Sequence, residues 1–123
     1  MLKFVIPGTI RSKKNSKRII RAGKFPKLLP SKAYVRWEES FQQELFVQTM
    51  KKRVKATDKP VEVSATFYFK GPEPDLSGCM ESLGDACEGI LWLDDKQIVS
   101  WDGSRKERDR KNPRVEFSFK AVG

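Results

Sequence analysis

The chain has 123 residues, 25 Lys and Arg against 16 Asp and Glu, a net charge of +9 and a pI near 9.7. That length suits one hydrophobic core and is short for two, and the charge favours a polyanionic partner, nucleic acid before an anionic membrane surface. Histidine is absent, which excludes imidazole acid–base catalysis and His-ligated metal centres and leaves carboxylates, lysine, hydroxyls and two thiols.

Leu2 to Ile6 is a short apolar run stopped by Pro7-Gly8, suited to a strand. It is too short for a secretory leader, and nothing approaches membrane-span length, so a soluble, cytoplasmic protein is expected. Arg11 to Lys27 carries Arg11, Lys13, Lys14, Lys17, Arg18, Arg21, Lys24 and Lys27 without one acid and reads as a loop or loose hairpin. Ser31 is a suitable N-cap for a first helix. Tyr34, Trp37, Phe41 and Leu45, joined by Phe46 and Met50, recur at helical spacing as a core-facing stripe.

Val61, Val63, Ala65, Phe67 and Phe69 alternate with polar residues as a half-buried strand, ended by Gly71-Pro72-Glu73-Pro74. A second helix is expected from about Gly78 to Glu88, with Gly89 as its C′ residue. Gln97 to Trp101 begins another strand, and Val115, Phe117 and Phe119 mark the last. Cys79 and Cys87 would lie about 12 Å apart along such a helix, too far for a disulfide, and read as small core residues. The whole chain, 1–123, is expected to be a single α+β domain with a mixed sheet of about four strands and two main helices.

Charge is unevenly distributed. Between Gly71 and Asp95 lie seven acids (Glu73, Asp75, Glu81, Asp85, Glu88, Asp94, Asp95) and no base, while all 25 bases lie outside. Glu81, Asp85 and Glu88 at i, i+4 and i+7 share a helix face, an arrangement that like-charge repulsion disfavours by a few tenths of a kcal/mol per pair. Either the face is simply solvated, or basic residues or a divalent cation compensate it. Asp75 follows one strand and Asp94-Asp95 precede another, so a sheet can bring both ends together. Oxygen ligands without His or a Cys array select Mg²⁺ or Mn²⁺ over Zn²⁺. Such an ion, set in a basic surface that grips phosphates, suits phosphodiester hydrolysis.

Asp85-Ala86-Cys87-Glu88-Gly89-Ile90-Leu91-Trp92-Leu93-Asp94-Asp95-Lys96-Gln97-Ile98 resembles the signature of the RusA-type Holliday-junction resolvases, and Pro74-Asp75 resembles the start of that family's upstream acidic segment. The opening strand with Ile6-Pro7-Gly8, the Lys13-Lys14-Asn15-Ser16 segment and Pro113-Arg114-Val115-Glu116 add weaker likeness. The resemblance implies a homodimer that binds four-way DNA junctions and cuts them in paired, metal-dependent incisions, with roles in recombination and repair. It implies Asp75 and Asp95 as metal ligands, with Asp94 a further acid of the site and Asp85 an orienting or capping one.

The chain departs from that pattern where Ser77, Gly78 and Glu81 stand in place of the usual Asp, Asn and Lys. Two readings follow. Glu81 substitutes as the acidic ligand, giving Asp75, Glu81, Asp94 and Asp95 as metal ligands, with Lys96, Arg105 or Lys106 taking the lost lysine's role toward the phosphate. Alternatively, catalysis is lost and the protein only binds branched DNA. The expected DNA contacts are Arg11, Lys13, Lys14, Lys17 and Arg18, then Lys51 to Arg53, then the stretch from Arg105 and Lys106 to Lys111. A basic RNA-associated protein is a further possibility, against which stands the absence of an RNA-binding signature.

Overall fold

The computed structural model describes residues 1–12, 17–23 and 25–123, giving the backbone alone for 17–22 and 25–28. The elements run β1 (Leu2–Pro7), β2 (Lys17–Ala22), β3 (Phe25–Pro30), α1 (Lys32–Lys52), β4 (Val61–Phe69), α2 (Leu76–Ala86), a 3₁₀ turn (Asp95–Gln97), β5 (Ile98–Ser100), β6 (Arg105–Arg108) and β7 (Arg114–Ala121). The class is α+β, as expected.

The central sheet is mixed and has five strands. β1 pairs antiparallel with β7, and β7 antiparallel with β4. The far edge of β4 is shared by two short parallel strands, β5 at its start (Val61↔Ile98) and β6 at its end (Thr66↔Arg105 to Phe69↔Arg108). Between them, Ser104 Oγ accepts a bond from the Ala65 amide at 3.1 Å, so the gap does not orphan that donor. β2 and β3 form a separate antiparallel hairpin that takes up the segment read as a loop or loose hairpin and runs on to Pro30.

Alternation decides which face of the sheet is buried. Val61, Val63, Ala65, Phe67 and Phe69 of β4 join Phe4 and Ile6 of β1 and Val115, Phe117 and Phe119 of β7 in one core. Both helices cover that face. Phe41 of α1 stacks on Phe117 with centroids 6.5 Å apart, and Cys79, Leu83 and Ala86 of α2 are fully buried. The opposite face keeps Lys3, Val5, Ser64, Thr66 and Glu116 around an open cavity of about 410 Å³.

Ser31 caps α1 as expected, its Oγ accepting from the Tyr34 amide at 3.1 Å. Tyr34, Phe41 and Leu45 are buried and Trp37 is half-buried. Phe46 and Met50, read as part of the same stripe, are 56% and 65% exposed, because they sit on the edge of the helix that looks past the sheet. The second helix begins and ends two residues earlier than expected. Its last carbonyls are taken by side chains from elsewhere: Trp92 Nε1 donates to Gly84 O at 3.0 Å, and Gln42 Nε2 of α1 to Ala86 O at 3.2 Å. Gly89, at φ 80°, then reverses the chain so that Trp92 packs at 0% exposure beneath α2.

Both cysteines are free and buried. Burial pushes the Cys79 thiol up to about 11 and the Cys87 thiol well above its ordinary value, so neither is a thiolate at neutral pH.

Candidate metal and DNA site

Three acidic residues converge where the end of α2 meets the 3₁₀ turn. Asp85, Glu88 and Asp95 each offer a carboxylate oxygen, and those oxygens lie within 4.8 Å of one another; among the described residues this is the group able to hold a cation. Asp85 comes from the last turn of α2 and Glu88 from just beyond its end. Asp95 is brought in by the loop that Trp92 anchors. Glu88 Oε1 also accepts the Asp95 amide at 2.8 Å, which ties the two segments together.

The loop is held by the glutamine of its own motif. Gln97 Oε1 accepts from the Leu93 and Asp94 amides at 2.9 and 2.8 Å, and its Nε2 donates to the Thr57 and Lys59 carbonyls, each at 2.8 Å. Both lone pairs and both N–H groups of that side chain are committed to four backbone groups. Asp94 is likewise spent on structure: its carboxylate accepts the Lys96 amide at 2.9 Å as the cap of the 3₁₀ turn. That amide bond is the largest reason its carboxyl is held below the usual range; desolvation opposes it, and the bond to Asp95 and the charge of Lys96 add to the lowering. Of the adjacent aspartates, Asp94 builds the turn and Asp95 is presented by it.

A cleft of about 230 Å³ leads from this group along α2, lined by Ser77, Met80, Glu81, Gly84, Asp95, Ile98 and Trp101. Helical spacing puts 77, 81 and 84 on one face, and Gly84 leaves room there: a Cβ at Gly84 would sit 3.5 Å from Asp95 Cβ and 3.4 Å from Ile98. Glu81 and Asp95 therefore share a cleft, as the reading of Glu81 as a substitute ligand requires. Ser77 lies in the same cleft.

Asp75 is elsewhere. It occupies the N-cap position of α2, exposed and without a cap hydrogen bond, about 15 Å along the helix axis from Asp85. It belongs neither to the three-carboxylate group nor to the cleft lining. Beside it, a groove of about 700 Å³ runs between Thr9–Ser12 and Gly71–Pro74, with Arg11 exposed on one wall.

Of the basic residues expected at DNA, Lys13 and Lys14 lie outside the described residues, and Lys17 and Arg18 are placed by backbone alone on β2. Arg105 pairs with Glu107 at 2.9 Å on the surface, and Lys106 with Glu73 at 3.0 Å. Lys96 is exposed on the 3₁₀ turn beside Asp95. Asp85, expected only as an orienting or capping acid, and Glu88 are the residues of this group that sequence reasoning did not place in the ligand set; of the two, Glu88 is the less expected. Its signal was the i, i+4, i+7 spacing, and the end of α2 at Ala86 is what turns it toward Asp95.

The family model for endodeoxyribonuclease RusA matches residues 7–119. A search of curated proteins found no match. The matched stretch contains the sheet from the last residue of β1 onward, but for the last two residues of β7, together with both helices and every acid described above, and the chain belongs to the RusA endodeoxyribonuclease family. The resemblance drawn from Pro74 to Ile98 is thus borne out over most of the chain. Among the described residues no helix is long and apolar enough to cross a membrane.

Proposed function

We propose that the chain, working over residues 1–123 as one domain, is a structure-selective endonuclease. It resolves four-way DNA junctions in the cytoplasm, in recombination and repair, as a homodimer that uses Mg²⁺, with Mn²⁺ able to replace it. The observation that carries this is the convergence of Asp85, Glu88 and Asp95. Ligand oxygens on opposite sides of Mg²⁺ lie about 4.2 Å apart, twice its metal–oxygen distance. A group already within 4.8 Å can close on such an ion by side-chain rotation. The donors are all hard oxygens, the set that Mg²⁺ and Mn²⁺ prefer.

Asp95 is the central ligand in this reading, with Asp85 and Glu88 beside it and Glu81 reaching the same ion along the cleft. A divalent ion held there lowers the pKa of a bound water and polarises the phosphoryl oxygen. The protein's own part is to hold the carboxylates and orient the strand. Lys96 faces the phosphate from the 3₁₀ turn as its cation, and Asp94 keeps that turn shaped. Asp75, whose carboxylate is not used in capping, stands at the far end of α2 as an outer acid of the site. Arg11, Lys13, Lys14, Lys17, Arg18 and Arg105 supply phosphate contacts across a surface whose charge would otherwise be repelled by DNA.

The test is a labelled four-way junction incubated with Mg²⁺, Mn²⁺ or EDTA, beside Asp95→Asn. Paired nicks that need metal and vanish in the variant are expected. Cleavage that survives chelation contradicts the proposal. Ser77 and Glu81, at positions where the motif carries Asp and Lys, favour one alternative: a binder of branched DNA without activity. A junction shifted but uncut in every lane would establish it.

A further inference from the structure

The turn that delivers Asp75 to α2 is held by a lysine from a distant part of the chain. Lys106 stands opposite Phe67 in the parallel pairing of β6 with β4. Its Nζ lies 3.0 Å from Glu73 Oε1 and donates to the Pro74 carbonyl at 3.2 Å. The two charged side chains are only 29% and 30% exposed, so solvent screens the pair less than an open surface pair. The charges of Lys106, Glu73 and Asp75 all act on Cys79 in the first turns of α2, which places the three around one short stretch of backbone.

Asp75 needs such support. An N-cap aspartate normally has its carboxylate fixed by a bond from the N2 or N3 amide, and Asp75 makes none. Its direction is set by the turn that precedes it. Among the described cations, Lys106 is the one whose hydrogen bond reaches that turn: Arg105 is engaged with Glu107 and Lys96 lies on the 3₁₀ turn.

We propose that Lys106 is a positioning residue: through Glu73 and the Pro74 carbonyl it fixes the turn from which Asp75 faces the substrate, and it is not itself a DNA-backbone contact. The proposal rests on the endonuclease reading above. It also replaces the sequence-based expectation that Lys106 binds phosphate.

Junction cleavage and salt-dependent junction binding by wild type, Lys106→Met, Lys106→Arg and Glu73→Gln test it. Lys106→Met should lower kcat by about tenfold or more, as a small misplacement of a working group does, with KM within about threefold. The slope of log Kd against log salt should be unchanged. Lys106→Arg should recover most of the loss, and Glu73→Gln should reproduce part of it. A slope reduced by about one, with KM raised and kcat kept, would mark a phosphate contact and overturn the proposal. An unchanged kcat would overturn it equally.

If wild type leaves the junction uncut with both Mg²⁺ and Mn²⁺, the endonuclease reading fails, and hydrogen exchange still decides the role of Lys106. The Cys79 amide, bonded to the Asp75 carbonyl at 3.1 Å, should exchange at least about tenfold faster in Lys106→Met while β4 amides keep their rates. Equal exchange at Cys79 would sink the positioning role.

Discussion

The two ends of α2 are built on opposite principles. At its N-terminus a single exposed acid, Asp75, follows a proline-bounded turn that a lysine clamps from β6. At its C-terminus three acids from two segments crowd within 4.8 Å, and their frame is held mainly by uncharged side chains, Trp92, Gln42 and Gln97, on backbone carbonyls and amides. The first end has a cation that reduces its negative field. The second concentrates that field, and concentrated carboxylate charge on a rigid frame is what binds a divalent ion. Eleven residues of helix thus separate acids that a linear motif presents as one set.

If that contrast is right, removing an acid from each end has different consequences. Asp95→Asn should reduce the rate of junction cleavage by about 10²–10³-fold with binding retained, the scale of losing a central electrostatic contact in a site. Glu88→Gln and Asp85→Asn should each follow at about 10–100-fold. Asp75→Asn should cost less than Asp95→Asn. Single-turnover rates at saturating protein check the order, and an equal collapse at Asp75 and Asp95 would unite the two ends into one centre.

The frame itself can be loosened without touching an acid. Gln97→Leu leaves two backbone amides and two carbonyls without partners, at sites partly open to water. It should cost about 1–3 kcal/mol in urea unfolding and weaken metal-dependent cleavage through Asp95. Unchanged stability would show that water replaces Gln97 without loss.

At the other end the constraint is steric. A Cβ at Gly78 would lie 2.6 Å from Ser12 Oγ and 3.2 Å from its Cβ. Gly78→Ala should therefore destabilise by about 1 kcal/mol, overpacking offset in part by the gain in helix propensity. In a Ser12→Gly background the same change should become neutral or stabilising. Among the described residues Ser12 Oγ is buried without a hydrogen-bond partner, so its removal sacrifices no bond to them. Additive effects in the double variant would rule out the contact.

Asp94 provides the mildest probe. Its carboxyl is held below the ordinary range, chiefly by the Lys96 amide. A group with a depressed folded pKa contributes stability above its unfolded value, near 3.9, and loses it as pH falls through the folded value. Asp94→Ala should lower Tm slightly at pH 7, and the difference should vanish once the pH is low enough to protonate the carboxyl in the folded state as well. A Tm difference that persists in acid would mean that the cap acts by something other than charge.

How far the sequence anticipates this depends on what each element is made of. β4 and β7 alternate apolar and polar residues, which sets the face each turns to the core, while β1 is an apolar run that alternates only in burial. β6 is Arg105-Lys106-Glu107-Arg108, four charged residues on a sheet edge, so no apolar period betrays it. Phe46 and Met50 keep helical spacing yet face outward, since period alone does not say where the sheet stops. In the site, Asp95 and the acidic face of α2 are legible from spacing. Glu88's approach to Asp95 is not, because it depends on where α2 ends, and that is decided by Trp92 and Gln42 from other segments. Asp75 looks adjacent to the rest in a motif, and only the length of α2 reveals the separation.

Mn²⁺ titration followed by electron paramagnetic resonance, on wild type, Asp85→Asn, Glu88→Gln and Asp75→Asn, weighs the two ends against each other without requiring cleavage. Mn²⁺ affinity should fall at least about tenfold in Asp85→Asn and Glu88→Gln, as loss of one ligand implies, and stay within about threefold in Asp75→Asn. Loss of binding in Asp75→Asn, with Asp85→Asn and Glu88→Gln unaffected, would place the ion at the N-terminal end of α2 and contradict the site described here.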